Sequence, residues 1–208
     1  MQKPDTWSRI LLVLFISFLI LYTAESQKDW KMHKSKGEIQ LWLKDLPGSR
    51  VKQFKIQTKV KQNITAVYQL LREVEKSPLW YDKVKEVKVL KAIDNDEAVY
   101  LLEYELPFPF KNRVTTLKGT IVYDQKLQTI RANTVYFPYE IPVEYKDLSQ
   151  VYLVSGTWAI ETLSDGRLSI THIGYMDPEG NIPAWLVNQS YTSGPFKTLT
   201  NLLKLLDK

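Results

Sequence analysis

The C-terminal stretch from Gly180 to Lys208 constrains the fold of this 208-residue chain more than any other. From Pro183 onward its apolar residues recur at helical spacing. Phe196, Leu199, Leu203 and Leu206 lie three or four apart, with Leu202 beside them and Lys197, Lys204 and Lys208 on other faces. Pro183 suits a first helical turn, where its missing N–H costs nothing. Pro195 removes one hydrogen bond and clashes with the preceding turn, so it marks a kink or a restart. A long helix with one apolar stripe must bury it, and the many strand-like segments upstream offer the concave face of a sheet. Whether that seam is solid core or a ligand cavity decides what the chain can do.

The length suits one domain with a real core and is short for two. Twelve tyrosines and six tryptophans, with many strand-like runs, favour a sheet-rich class. The absence of cysteine excludes a disulfide framework, a thiolate zinc site, a cysteine nucleophile and a lipidated cysteine. Residues 1–26 read as an export segment. Lys3 and Arg9 precede Ile10–Tyr22, thirteen residues without a charge, and Ala24-Glu25-Ser26 has small residues at the spacing of a cleavage site. That run is the length of a signal-peptide apolar region and short for a membrane crossing. The expected location is outside the cytoplasm, in the periplasm, with an uncleaved anchor through residues 10–22 as the alternative.

The net charge is +5, and residues 27–62 carry most of the excess, with ten Lys or Arg against three Asp or Glu. In Phe54-Lys55-Ile56-Gln57-Thr58-Lys59-Val60-Lys61 apolar residues alternate with lysines, which predicts a strand with one buried and one basic face. A solvated face and a face for an anionic membrane surface both fit. Nucleic acid is disfavoured, because the exposed positions lack the aromatic interleaving that stacks bases and no recognition motif is present.

The remaining elements follow in order. Asp29–Ser35 reads as a short helix ended by Gly37. Ile39, Leu41 and Leu43 mark a first strand, and about residues 51–62 form the basic strand after the turn Leu46-Pro47-Gly48-Ser49. Asn63 to Lys76 is a helix in which Val67, Leu70, Leu71 and Val74 share a face. Asn63-Ile64-Thr65 and Asn188-Gln189-Ser190 also fit glycosylation acceptors, but helix capping and surface polarity explain them as well. Then come strands over Val84–Ala92, Ala98 to Leu106, Arg113–Tyr123, Ile130 to Tyr136, Tyr152 to Ile160 and Leu168–Met176. Two strands, a helix, about six antiparallel strands and a long helix define an α+β chain, one curved sheet gripping one helix.

Several stretches resemble the START family, the steroidogenic-acute-regulatory-related lipid-transfer domains, in its bacterial form. They are Trp30 followed by Gly37-Glu38-Ile39, Pro47-Gly48-Ser49, Trp80 ahead of Val84–Leu90, Glu105-Leu106-Pro107-Phe108-Pro109, Asn112-Arg113, Gly156-Thr157-Trp158 and Gly180-Asn181-Ile182-Pro183-Ala184-Trp185-Leu186-Val187-Asn188. The resemblance runs in the family's order from Trp30 to the end. It implies a helix-grip fold, a hydrophobic tunnel between the sheet and the C-terminal helix, and binding or transfer of one lipid-like molecule without chemistry or a cofactor. Val114 stands where the family commonly has an acidic residue, and Gly119 where some sterol-binding members carry a basic one. Both argue against a sterol.

Residues that make poor core mark the candidate site. Arg113 shares the parity of Leu117 and Ile121 and so points inward, where a guanidinium needs a partner. Glu103, Glu105 or a ligand head group are the alternatives. With the resemblance, Tyr100, Leu117, Ile121, Trp158, His172, Leu199 and Leu203 complete the candidate lining. The connection from Tyr136 to Tyr145 is unusually apolar for a solvent loop. It either caps a core or, through Phe137, Tyr139 and Ile141 with Phe108, Phe110 and Trp185, forms a lid that touches membrane. His172 is expected as a hydrogen-bonded sheet histidine, since it has no catalytic companions in sequence. His33 is the only other histidine, so no multi-histidine metal site is expected. No Gly-x-Ser-x-Gly elbow or Gly-rich phosphate loop occurs. The rival reading is a cyclase- or aromatase-like enzyme using the same cavity, with His172, Arg113 or a tyrosine as acid or base.

Overall fold

The computed structural model describes residues 29–207. The expected export segment and its apolar run lie outside them. From Met32 onward the described residues form one compact unit. The strands are β1 (Lys31–Lys36), β2 (Ile39–Lys44), β3 (Gln53–Val60), β4 (Val84–Ala92), β5 (Glu97–Tyr104), β6 (Arg113–Asp124), β7 (Thr129–Tyr136), β8 (Ser149–Gln150), β9 (Leu153–Thr162) and β10 (Leu168–Asp177). Helix α1 (Ile64–Arg72) and a 3-10 turn (Val74–Leu79) separate β3 from β4, and α2 (Ala184–Ser190) and α3 (Gly194–Leu206) close the chain.

The strands form one sheet in the order β1-β2-β3-β10-β9-β7-β6-β5-β4, with the short β8 beside β6 and parallel to it. The fold is α+β, a helix grip. Register carries a single row of inward side chains across the sheet. Ile56 faces His172, His172 faces Trp158, Trp158 faces Ala132 and Ala132 faces Ile121. Directly opposed residues share a face, so alternation along each strand sets the inner surface. The basic face of β3 points the other way, with Lys55 Nζ 4.6 Å from the ring centre of Trp42.

Helix α1 starts where Asn63 Oδ1 accepts from the backbone N–H of Thr65 and Ala66, a cap that satisfies two otherwise orphaned donors. It buries Ile64, Val67 and Leu71. The C-terminal helix is broken. Pro195 sits at the start of α3, and residues 191–193 turn the chain between α2 and α3. Helix α3 buries Phe196, Leu199 and Leu202 and packs on β2 and β3.

Two arginines clamp the connection from β10 to α2. The Arg50 guanidinium holds the Asp177 carboxylate at 3.0 Å and donates to the Ile182 carbonyl at 2.9 Å. Arg113 Nε donates to the Pro178 carbonyl at 2.8 Å and Nη1 to that of Lys111 at 2.9 Å. Asn188 on α2 completes the fastening, accepting from the Lys52 backbone N–H at 2.9 Å.

Several expectations need correction. Residues 31–36 form an exposed edge strand, not a helix, because Gly37 (φ 58°) turns the chain straight back into β2. The segment after β7 caps a core, the first of the two readings open to it. Ile141 and Tyr145 bury Leu101 and Val114 in a separate small core on the outer face of the sheet. The Thr116 hydroxyl and carbonyl both bond Phe137, holding this strap in place. Phe137 and Tyr139, 37% and 41% exposed, lie on the same strap.

Gly174 makes room for Phe54, whose ring would lie 2.4 Å from a Cβ at that position. Gly174→Ala is therefore expected to lower unfolding free energy by about 1–3 kcal/mol in urea titrations, the usual cost of overpacking. Adding Phe54→Leu should recover part of that loss. Additive losses would show that the two sites do not compete for space.

Candidate functional site

Three recesses follow one another along the inner face. A chamber of about 170 Å³ lies between Phe54, Trp158 and His172 on one side and Val87, Tyr100 and Leu117 on the other, with Trp80 and Tyr81 against it. A vestibule of about 310 Å³ opens between Leu106-Pro107, Ile182 and Leu186-Val187. The two share Asp82, Tyr104, Met176, Ser190 and Tyr191 as lining. A third recess of about 270 Å³ meets the chamber at Tyr100 and Thr134 and extends past Ile121 to the turn between β4 and β5.

His172 is 2% exposed and forms part of the chamber wall. Its ring stacks on Trp158 with centres 4.0 Å apart and planes 3° from parallel, and Phe54 meets it edge-on at 5.1 Å. Nδ1 lies 3.0 Å from the Thr157 carbonyl, which can only accept, so Nδ1 carries the proton. Burial pushes the imidazole down to about 4, against the opposing bond to Thr157, so the ring is neutral near pH 7. Nε2 is therefore an acceptor, and Tyr81 donates its hydroxyl proton to it at 2.9 Å.

Tyrosines supply most of the remaining polarity. Tyr100 bonds the Thr134 hydroxyl at 3.0 Å, and its ring fills the space over Gly119. Tyr175 bonds Ser49 at 3.0 Å. Tyr191 donates to the Met176 carbonyl and accepts from the Met176 N–H. Burial raises Tyr100 to about 12 and pushes Tyr81, Tyr104 and Tyr191 higher still, so all four phenols are neutral. Asp82 sits beside the first turn of α3. Its backbone N–H donates to the Thr198 hydroxyl at 3.0 Å, and its carboxylate faces Lys197 Nζ at 3.7 Å.

The candidate residues divide. Tyr100, Leu117, Trp158 and His172 line the chamber, Ile121 lines the third recess and Glu105 the vestibule. Leu199 and Leu203 belong to the packed core instead, as does Phe110. Arg113 is buried but spent on the carbonyls of Pro178 and Lys111, and it faces neither chamber nor vestibule. Glu103 does not meet it. Register sets Glu103 opposite Val114 and Tyr104 opposite Arg113, so the carboxylate projects to the outer face. There it takes Lys85 and Asn112 at 3.0 and 2.7 Å. Phe108 and Trp185 are 96% and 66% exposed and stand next in sequence to Pro107 and Leu186 of the vestibule.

Sequence reasoning missed Tyr81, Asp82, Tyr104 and Tyr191. Tyr104 shares the parity of Tyr100 and was legible by that rule. Tyr81 and Asp82 lie in an aperiodic connection, and Tyr191 in the break between helices, where no repeat flags an inward side chain.

The START domain family model matches residues 18–208. An uncharacterised Pseudomonas aeruginosa protein is 27% identical over 189 residues, 87% of this chain and 88% of that one. The crystal structure of a STAR-related lipid transfer protein from Xanthomonas axonopodis superposes with a TM-score of 0.76 at 24% identity, covering 86% of this chain and 99% of that one. Human STARD10 gives 0.72 at 21% identity, covering 98% and 82%. At these identities the structures establish a shared fold.

The pH dependence of stability tests the buried imidazole. His172 titrates near 4 when folded, against 6.5 for an ordinary histidine. Between these values the unfolded chain binds a proton that the native chain refuses. Its contribution is thus complete above about pH 6.5 and lost as pH falls toward about 4, by roughly 3 kcal/mol. Urea unfolding at pH 7 and pH 5 should show this slope, and His172→Gln should flatten it relative to the parent.

Proposed function

The chain belongs to the START domain family, and on that premise we propose that it is an exported, non-enzymatic carrier of a lipid or similar hydrophobic molecule. The chamber between sheet and helices, joined to a vestibule through Tyr104, Met176 and Tyr191, is the observation that carries this reading. Burying a hydrocarbon chain there contributes about 25 cal/mol per Å² removed from water. The chamber alone has room for a molecule of about benzene size. A longer chain requires the chamber to merge with the vestibule, by displacement of Met176 and Tyr191 between them, or with the third recess past Tyr100 and Thr134.

Carriage without turnover is supported by the state of His172. Both ring nitrogens are occupied, one by the Thr157 carbonyl and one by the Tyr81 hydroxyl, and burial disfavours its protonated form. Such a ring is a poor general acid or base near pH 7. Arg113, the other candidate acid, is turned away into the clamp on the β10–α2 connection. Export is supported by the charge-free run Ile10–Tyr22 behind Lys3 and Arg9. Exposed Phe108 and Trp185 beside the vestibule support transient membrane contact at that end of the molecule. Lys83 and Lys197 also line the vestibule, where they favour an anionic surface.

Organic extraction of the purified chain followed by mass spectrometry should recover a lipid in near-equal amount. No recovered lipid, together with no uptake of a fluorescent lipid from vesicles, would overturn carriage. Phe108→Ser with Trp185→Ser should slow uptake by more than about tenfold, since large apolar side chains contribute ~1.5–3 kcal/mol each when buried. Phe137→Ser with Tyr139→Ser should leave uptake unchanged.

A further inference from the structure

The carrier reading leaves open which end of an amphiphile the chamber recognises, and the polar fittings answer it. Asp82 is the one charged side chain among the residues lining the chamber, and no lysine or arginine joins it there. A buried carboxylate would meet no counter-ion and would face a like charge, the costliest arrangement available. Lys197 stands 3.7 Å from Asp82 with most of its own side chain in solvent, and it lines the vestibule and not the chamber.

At Tyr81 and Asp82 the hydrogen-bonding capacity has the same sign, while the unpartnered Trp80 Nε1–H elsewhere in the lining is fully enclosed and reaches no ligand. Tyr81 has committed its proton to His172, so its oxygen can only accept from a ligand. The Asp82 carboxylate likewise accepts. Tyr100, Tyr175 and Tyr191 are bonded to Thr134, Ser49 and Met176. Tyr104 alone among the chamber tyrosines has no hydrogen-bond partner within the described residues, and it lines chamber and vestibule at once. Burial, and after it the Asp82 charge, disfavours its ionisation. One free phenol, flanked by two acceptors, marks the boundary between an apolar chamber and a wetter mouth.

We propose that Tyr104, Asp82 and Tyr81 form the polar end of the binding site. They select an amphiphile whose head is a hydroxyl or an amine over one whose head is a carboxylate. Tyr104 anchors the head, Tyr81 and Asp82 take its protons, and the hydrocarbon runs inward along Trp158, Leu117 and Val87 and on past Tyr100 and Thr134 into the third recess. This assignment rests on the carrier reading and adds the direction and head-group class of the ligand.

Isothermal titration of the full chain at pH 7 with n-decanol, n-decylamine and sodium decanoate tests it, because the three share a chain and differ in the head. Decanol and decylamine should bind about tenfold or more tightly than decanoate. Tyr104→Phe should weaken decanol by about threefold to tenfold, the worth of one hydrogen bond, and leave decanoate unchanged. Asp82→Asn should weaken decylamine and narrow its lead over decanoate. Equal or tighter binding of decanoate by the unaltered chain overturns the proposal, whatever the variants do. If none of the three binds while extraction still yields a lipid, the polar-end assignment falls and carriage stands. If neither gives a ligand, both fall.

Discussion

One helix cannot cover this sheet. Helix α3 has thirteen residues, about 20 Å of length and about 10 Å of width. The main path of the sheet holds nine strands, which at about 4.8 Å each span about 40 Å. Helix α3 settles on β2 and β3, and α1 reaches β7. Across the chamber from the inner faces of β5 and β6 stand Trp80, Tyr81 and the 3-10 turn, with the helices contributing only a few side chains such as Leu71 and Thr198 to the lining. A sheet that curves enough to grip a helix, with too little helix to fill the curve, encloses space. The chamber follows from that mismatch and not from any particular side chain.

Most polar groups around this space are paired, the buried Trp80 Nε1–H being an exception. A buried imidazole survives as a neutral ring because a carbonyl and a phenol satisfy its two nitrogens, and two aromatic rings exclude water around it. Guanidinium groups are kept out. Arg50 and Arg113 are spent nearby, on the carbonyls and the carboxylate of the connection between β10 and α2. That connection forms one side of the vestibule, through Pro178 and Ile182. The cations thus stiffen the frame of the mouth while the chamber itself stays free of them.

The outer face of the sheet has a small core of its own, and it changes the meaning of an apolar loop. Residues 137–147 are rich in aromatic and aliphatic side chains because they cover Leu101 and Val114, which point away from the chamber. An apolar connection marks something buried beneath it, and sequence cannot say on which side of the sheet that lies. Exposed Phe108 and Trp185, which cover nothing comparable, are left as the apolar groups beside the mouth.

Much of the architecture was legible in one dimension. The alternation of Phe54, Ile56 and Thr58, the repeat of Phe196, Leu199 and Leu202, and the capping Asn63 each report a local period or a local bond, and local geometry depends on neighbours in sequence. So the α+β class, most strands, the basic face of β3 and the inward parity of Tyr100, Leu117 and Trp158 could be read directly. Pairing between strands could not. Glu103 and Arg113 look like partners on adjacent strands until register sets Glu103 opposite Val114 and sends the two side chains to opposite faces. Asp82 and Tyr81 come to the chamber from an aperiodic turn, placed by the start of α3 and by His172 far along the chain. Periodicity fixes which way a side chain leaves its own strand or helix, but only the packing of distant elements decides what it meets there.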